Sequence, residues 1–394
     1  MAAYRVADVA VTCVTMATKA AHDLWGREAP DPVDPGHAFE AFRSERHTRV
    51  VGSAADPLWA PLSGDYRAAD GWVRLHANYP HHESAIIRAL GDDPAATVAS
   101  MPAVAVEDAV LAQGGAAAAL RTRESWLTAH GSAVREEPLV ALEKLDSAPP
   151  FPRTGDSPLA GVRVLDLTHV IAGPVCGRVL AAHGADVLHV TPPGRPVLLD
   201  LVRDTDFGKR QCAVDLDGVR ALAASADVFV QSYRPGSLGF STADLAEARP
   251  GIVVVSLSAY GHTGPWRGRR GFDSLVQMST GLAAGDPPQP LPAQALDHGT
   301  GWLAAYGAMT ALRNRATDGG SWHVRVSLAR TAEWLHDLGQ GDPVSEVDPT
   351  PWLTETDSDF GRLRHLRVPC ATVDLAGPRR PGSDPPAWLP RGNG

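Results

Sequence analysis

Cysteine is scarce and scattered: Cys13, Cys176, Cys212 and Cys370 are the only four in 394 residues, and no two form a C-x-x-C pair. That usage argues against a disulfide framework or a thiolate zinc site and fits reduced thiols in a cytoplasm. No apolar run approaches the roughly 20 residues that cross a bilayer. The start, Met1-Ala-Ala-Tyr-Arg5, carries no basic segment leading into an apolar one, so neither membrane nor export is expected. Positive charge is in deficit, with 36 Lys and Arg against 45 Asp and Glu and a net charge of −9. A nucleic-acid partner needs a basic face, so none is expected, although a local basic pocket for an anion is still allowed. Phosphate-cradling glycines are missing: there is no G-x-G-x-x-G after the first strand of the second half and no G-x-x-x-x-G-K-[ST]. No H-E-x-x-H or His/Cys cluster points to a metal, and no G-x-S-x-G elbow points to a serine hydrolase. The pair His81-His82 has the wrong spacing for one helix face and reads as solvated surface.

What is present divides near residue 150. Ser147-Ala-Pro-Pro-Phe-Pro-Arg-Thr-Gly-Asp-Ser-Pro158 is rich in Pro, Gly and Ser and reads as a linker over 147–158. Before it, residues 1–146 read as a small α+β domain with a leading helix. Val6 to Trp25 has helical apolar spacing, Gly71 to Ala77 alternates as a strand, and helical stretches fall near 81–91, 106–114 and 125–130. After the linker, strands at 162–167, 186–190, 212–216, 227–231 and 252–257 alternate with helices opening at Gly173 and spanning 217–225 and 242–248. That alternation predicts βαβ units, a parallel sheet and an α/β class, with ligands at the carboxyl ends of the strands. The large domain is expected over 159–345, and a Pro-rich surface tail over 346–394.

The second half carries motifs in a recognisable order. Pro158-Leu-Ala-Gly-Val-Arg-Val-Leu-Asp-Leu-Thr-His-Val-Ile-Ala-Gly-Pro174 leads, followed by Gly184-Ala-Asp-Val-Leu-His-Val190, Gly208-Lys-Arg210 and Val214-Asp-Leu216. Then come Ala226-Asp-Val-Phe-Val-Gln-Ser-Tyr-Arg-Pro-Gly236, Val255-Ser-Leu-Ser-Ala-Tyr-Gly-His-Thr-Gly-Pro265, Gly271-Phe-Asp273 and Gln294-Ala-Leu-Asp-His-Gly-Thr-Gly-Trp-Leu-Ala-Ala-Tyr306. In this order they resemble the class III CoA-transferases (the carnitine dehydratase/bile-acid-inducible, CaiB/BaiF type). The first half resembles the same family out of order. Asp70 to Pro80 and Gly114 to Trp126 resemble its small domain, which normally follows the large one, and Val6 to Trp25 resembles the helix after the catalytic segment.

The resemblance implies a Rossmann-like CoA-binding large domain with a small α+β domain, a homodimer, and transfer of CoA between an acyl-CoA and an organic acid, with no tightly bound cofactor. It implies Asp297 as the nucleophile that forms an anhydride and then an aspartyl-CoA thioester. Near its ordinary pKa of about 4 that carboxylate would be ionised at neutral pH. Asp297 also suits an N-cap for a helix starting near His298. For CoA contacts the resemblance implies His169, Ala172, Val214, Asp215, Ser232, Tyr233, Arg234, Arg270 and Phe272. Arg234 and Arg270 are phosphate partners in this reading, and Tyr233 is a packing surface; Lys209 and Arg210 read equally as a solvated strand end. Thr191-Pro-Pro193, with Arg195 nearby, stands where family members often carry Glu-Pro-Pro. Racemases of the family carry a proton-exchanging His where Phe272 stands here, which favours transfer. His298 and His262 keep a racemase-like alternative open, and the rearranged order keeps open a non-catalytic or partner-dependent subunit.

Overall fold

The computed structural model describes residues 3–30, 33–54, 57–151, 155–342 and 347–391. Residues 152–154 of the expected linker, together with 346 and 392–394 of the expected tail, lie outside the described residues. The chain enters through helix α1 (Val6–Trp25), whose Val6, Val9, Ala10, Cys13, Val14 and Ala17 recur on one buried face. Gly26 closes it in the left-handed conformation, φ 72°. A small antiparallel sheet follows: β1 (Gly64–Arg67), β2 (Trp72–Leu75) and β3 (Ala117–Ala119), paired in that order. Helices α2 (Pro80–Leu90) and α3 (Ala103–Ala112) cover it around Val73, Leu75, Ile86, Val106 and Val110. Strand β4 (Ala141–Lys144) leaves this unit for the main sheet.

The second half alternates as the spacing predicts. Strand β5 (Arg163–Asp166) leads into α4 (Ala172–Ala182), then β6 (Asp186–Thr191), β7 (Lys209–Ala213) and α5 (Leu216–Ala223). Strand β8 (Val228–Gln231), α6 (Thr242–Ala248) and β9 (Val253–Ser258) come next, followed by α7 (Asp273–Thr280), α8 (Ala295–Asp318), β10 (Trp322–Ser327) and α9 (Leu328–Leu338). The main sheet runs β4-β10-β9-β8-β5-β6-β7, parallel except for β4, which lies antiparallel on β10. Numbering its parallel strands along the chain gives the order 3-2-1-4-5-6, so the chain reverses direction across the sheet between β5 and β8. A crevice opens at such a switch point. The α/β class and the Rossmann-like large unit are therefore both present.

Four expectations need correction. Residues 1–146 do not form one unit: α1 packs along α8, with the Cys13 Sγ 3.8 Å from the Gly299 carbonyl oxygen. The small, apolar face of α1 fits the core of the large unit, and β4 extends its sheet. The strand expected at 212–216 starts earlier, at Lys209. Lys209 is no solvated strand end, because its ammonium is fully enclosed 2.9 Å from both Asp166 and Asp206, while Arg210 pairs with Asp186. The tail is built in: hairpin β11 (Leu353–Ser358) and β12 (Gly361–Leu366) pairs with Arg49–Val50. Beyond it, Asp384 accepts from the Gln211 amide at the edge of β7, and the Trp388 indole donates to the Leu222 carbonyl.

Removing one partner from a buried ion cluster leaves uncompensated charge in a dry interior and is strongly destabilising. Lys209→Met should therefore cost about 3–5 kcal/mol in denaturant unfolding; an unchanged midpoint would show that the cluster carries no structural load.

Candidate active site

At the carboxyl end of β5 the chain makes a tight turn into α4. The Asp166 Oδ1 accepts the Thr168 amide at 3.0 Å, and also its hydroxyl. Val170 then takes φ 75°, a conformation rarely tolerated by a β-branched residue. Gly173 lets the turn close on itself, since a Cβ there would lie 2.1 Å from the Thr168 Cβ. Such local strain clusters at sites of function. A cleft of about 720 Å³ opens over this turn, between the main sheet and the small antiparallel unit.

Asp297 lines that cleft and is 6% exposed. It sits in the first turn of α8, which begins at Ala295, so it is no N-cap for a helix starting near His298. The cap position, Gln294, makes no side-chain bond; instead the Asp273 Oδ2 reaches across and accepts the amides of Leu296 (2.8 Å) and Asp297 (2.9 Å). The Gln277 amide donates to the other oxygen of Asp273. Burial, then the neighbouring Asp273 and Glu45, hold the Asp297 carboxyl well above its ordinary 3.8, and burial pushes Asp273 to about 6. The expectation of a carboxylate with an ordinary pKa therefore does not hold: crowding and desolvation favour the neutral acid.

His169, Ala172, Ser232, Tyr233, Arg234, Arg270 and Phe272 all line the same cleft as Asp297. His169 Nε2 lies 3.3 Å from the Tyr233 hydroxyl, which also accepts from Arg195 at 3.1 Å. Burial, with Arg195 and His189 near, lowers His169 to about 3, so it is neutral. Arg270 donates to the carbonyls of Gly114 and Gly115 and ties the cleft rim to the small unit. Val214 and Asp215 stand elsewhere: Val214 packs on a core cluster, and Asp215 caps α5 by accepting the Gly218 amide at 3.0 Å. His298 points away from the cleft, fully buried, 3.0 Å from Glu45 and stacked on Phe42. His262 lines the cleft with its Nε2 3.0 Å from the Val326 carbonyl.

Other cleft residues were not anticipated. Of the pair expected as solvated surface, His81 is exposed at the cleft, whereas His82 lines the same cleft and is only 2% exposed. The Phe272 ring stacks on His76 at 3.9 Å, and His82 meets it edge-on. Arg195, Arg267 and Arg269 join Arg234 and Arg270, so an acidic chain concentrates five guanidiniums at one opening. No local spacing announces the full set, because the arginines come from three separate loops that only the fold gathers.

Residues 159–339 match the family model described as CoA-transferase family III. Over this segment, a little under half of the chain, the protein is similar to family III CoA-transferases. A probable fatty acyl-CoA transferase of Mycobacterium tuberculosis, Rv3272, is 34% identical over 205 residues, which is 45% of this chain and 52% of the relative. The probable CoA-transferase Rv1866 of the same organism is 31% identical over 292 residues, 64% of this chain and 35% of the relative. A crystal structure of Rv3272 aligns at 32% identity with a TM-score of 0.44, covering 46% of this chain and 57% of that one. The chain thus spans about half the length, or less, of the curated relatives it matches. Among the described residues, no helix is long and apolar enough to cross a membrane.

Two measurements test this geometry. A carboxyl whose folded pKa is raised has its full stabilising contribution below its unfolded pKa and loses it as pH rises through the folded value. Asp297→Asn should therefore raise the melting temperature relative to the parent, and by more at pH 8 than at pH 4. A smaller gain at pH 8 would contradict the burial of Asp297. Gly173→Ala forces a clash with Thr168 and should cost about 1–3 kcal/mol, read by chemical denaturation alongside binding at the cleft.

Proposed function

We propose that this chain moves CoA between an acyl-CoA thioester and a carboxylic acid, with Asp297 as the covalent carrier. The observation that carries the reading is a buried carboxyl at a cleft wall that receives no hydrogen bond from the described residues, facing an opening rimmed by arginines. In its ionised form Asp297 attacks the thioester carbonyl, giving a mixed anhydride and CoA thiolate. The thiolate then attacks the aspartyl carbonyl, the donor acid leaves, and an aspartyl-CoA thioester remains. The acceptor carboxylate attacks that thioester and expels CoA thiolate. The thiolate attacks the acceptor acyl carbon of the second anhydride, releasing the new acyl-CoA and free Asp297. Atoms balance in each step, and no base is needed once Asp297 has lost its proton.

Arg195, Arg234, Arg267 and Arg270 supply cations suited to the phosphates of CoA, and the Tyr233 ring offers a flat surface beside them. The relatives are named as CoA-transferases, which supports this class of substrate. The acceptor is an organic acid in this reading, no tightly held cofactor is required, and the assembly is a homodimer, measurable by light scattering. The racemase-like alternative gains no support: His298 is engaged with Glu45, and the Phe272 ring carries no exchangeable proton.

Incubation with acyl-CoA followed by hydroxylamine or borohydride trapping and peptide mass spectrometry should place the label on Asp297. Asp297→Ala should lose activity by about a thousandfold or more, as removal of a nucleophile does; label on another residue, or full activity in the variant, would sink the mechanism. Because only the ionised carboxyl attacks, acyl-enzyme formation should rise with pH along a limb displaced upward from the usual carboxylate range. A limb near 4 would show that Asp297 is not the titrating group.

A further inference from the structure

Beneath the turn after β5 lies a charge cluster that acyl transfer does not use. His189, on β6, is 3% exposed. Its Nδ1 lies 2.9 Å from the Asp206 Oδ2, and its Nε2 lies 2.9 Å from the carbonyl oxygen of Thr168. A backbone carbonyl can only accept. Asp206 is ionised: burial opposes the charge, but Lys209 and His189 hold its carboxyl far below the usual range. Two acceptors facing two ring nitrogens require an N–H on each, so His189 is an imidazolium. The charges balance, with His189 and Lys209 set against Asp166 and Asp206.

The cluster grips the turn at both ends. His189 holds the Thr168 carbonyl, Asp166 holds the Thr168 amide at 3.0 Å, and the Lys209 ammonium donates to the Pro174 carbonyl at 2.8 Å. Between these anchors sits Val170 at φ 75°, a strained conformation that the surroundings must hold in place. His169 and the first turn of α4 project from the same segment into the cleft.

We propose that doubly protonated His189 is a positioning residue: by donating to the Thr168 carbonyl it holds the strained turn in the form that presents His169 and the start of α4 to the nucleotide of CoA. The proposal rests on the reading of the cleft as a CoA site. The groups facing His189 are Asp206, Asp166 and Lys209, the Gln211 amide 3.3 Å from Nδ1, and the His169 ring, centred 6.3 Å away. Burial works against the imidazolium, but the two aspartates raise its pKa overall. The donor is therefore present below that raised value and lost as pH climbs through it, leaving an Nε2 lone pair against the carbonyl oxygen and releasing the turn.

Two measurements on the full chain decide this. In the ¹⁵N spectrum of histidine-labelled protein at about pH 7, both His189 nitrogens should carry protons, since hydrogen bonds to charged partners stabilise that form; one bare nitrogen overturns the proposal. Calorimetric titration with CoA should show affinity falling about tenfold or more on the alkaline side, the size expected for one charge-assisted hydrogen bond. His189→Gln keeps a neutral donor and should bind CoA with a clearly shallower pH profile than the parent. His189→Leu should bind about tenfold more weakly at every pH, raising KM more than it lowers kcat. A His189→Gln profile as steep as that of the parent overturns the idea, even if His189→Leu fails to fold. Should the parent bind no CoA, the CoA reading fails. The amide shifts of Val170 and Ala172 would then decide the positioning role, by moving with pH in the parent and staying still in His189→Gln.

Discussion

Two helices of this protein begin at one carboxylate. Asp273 opens α7, and its Oδ2 takes the amides of Leu296 and Asp297 in the first turn of α8. A helix start leaves amides without partners, and Gln294 at the cap position supplies no side-chain bond. An acceptor from another element therefore completes the turn and fixes where Asp297 sits. The same contact brings two carboxyls together in a dry place, so each raises the cost of charge on the other. The position of Asp297 and part of the upward shift of its pKa thus come from a single interaction.

The rest of α8 is locked by close approach. Gly301 lies so near the start of α4 that a Cβ would stand 2.4 Å from the Ala172 carbonyl oxygen, and Gly299 faces α1 across van der Waals distance of Val9. The beginnings of α4 and α8 are therefore packed directly against each other, next to the strained turn after β5. Above this floor of carboxyls stands a rim of arginines. An anionic ligand is drawn by the rim, while the carboxyls below disfavour a second buried anion unless it reacts or sheds charge.

Much of this was legible in the chain itself. Strands at Val162–Leu167, Asp186–Val190 and Ile252–Leu257 stand out because parallel strands buried on both faces read as continuous apolar runs. The order of the motifs pointed to Asp297, and the structure brings seven of the nine expected CoA contacts around it. Reading failed where charge is internal. Lys209 looks like a polar strand end, yet it is enclosed because Asp166, 43 residues earlier in the chain, offers the opposite charge. His82 looks solvated, yet it lies under the small sheet beside Phe272. Burial of a polar group depends on a partner, and the partner is distant in sequence.

Hydrophobic periodicity and glycine placement, local properties of consecutive residues, were enough to determine the α/β class and the strand alternation, while the family resemblance alone pointed to Asp297 as candidate nucleophile. Only the tertiary structure decided that the leading helix belongs with the large unit, that the C-terminal segment seals the edge of β7, and that burial and crowding hold the Asp297 carboxyl well above its ordinary pKa. Those outcomes depend on packing area and on charges converging from remote positions, and electrostatic energy in a low-dielectric interior is set by distances in space rather than by spacing along the chain.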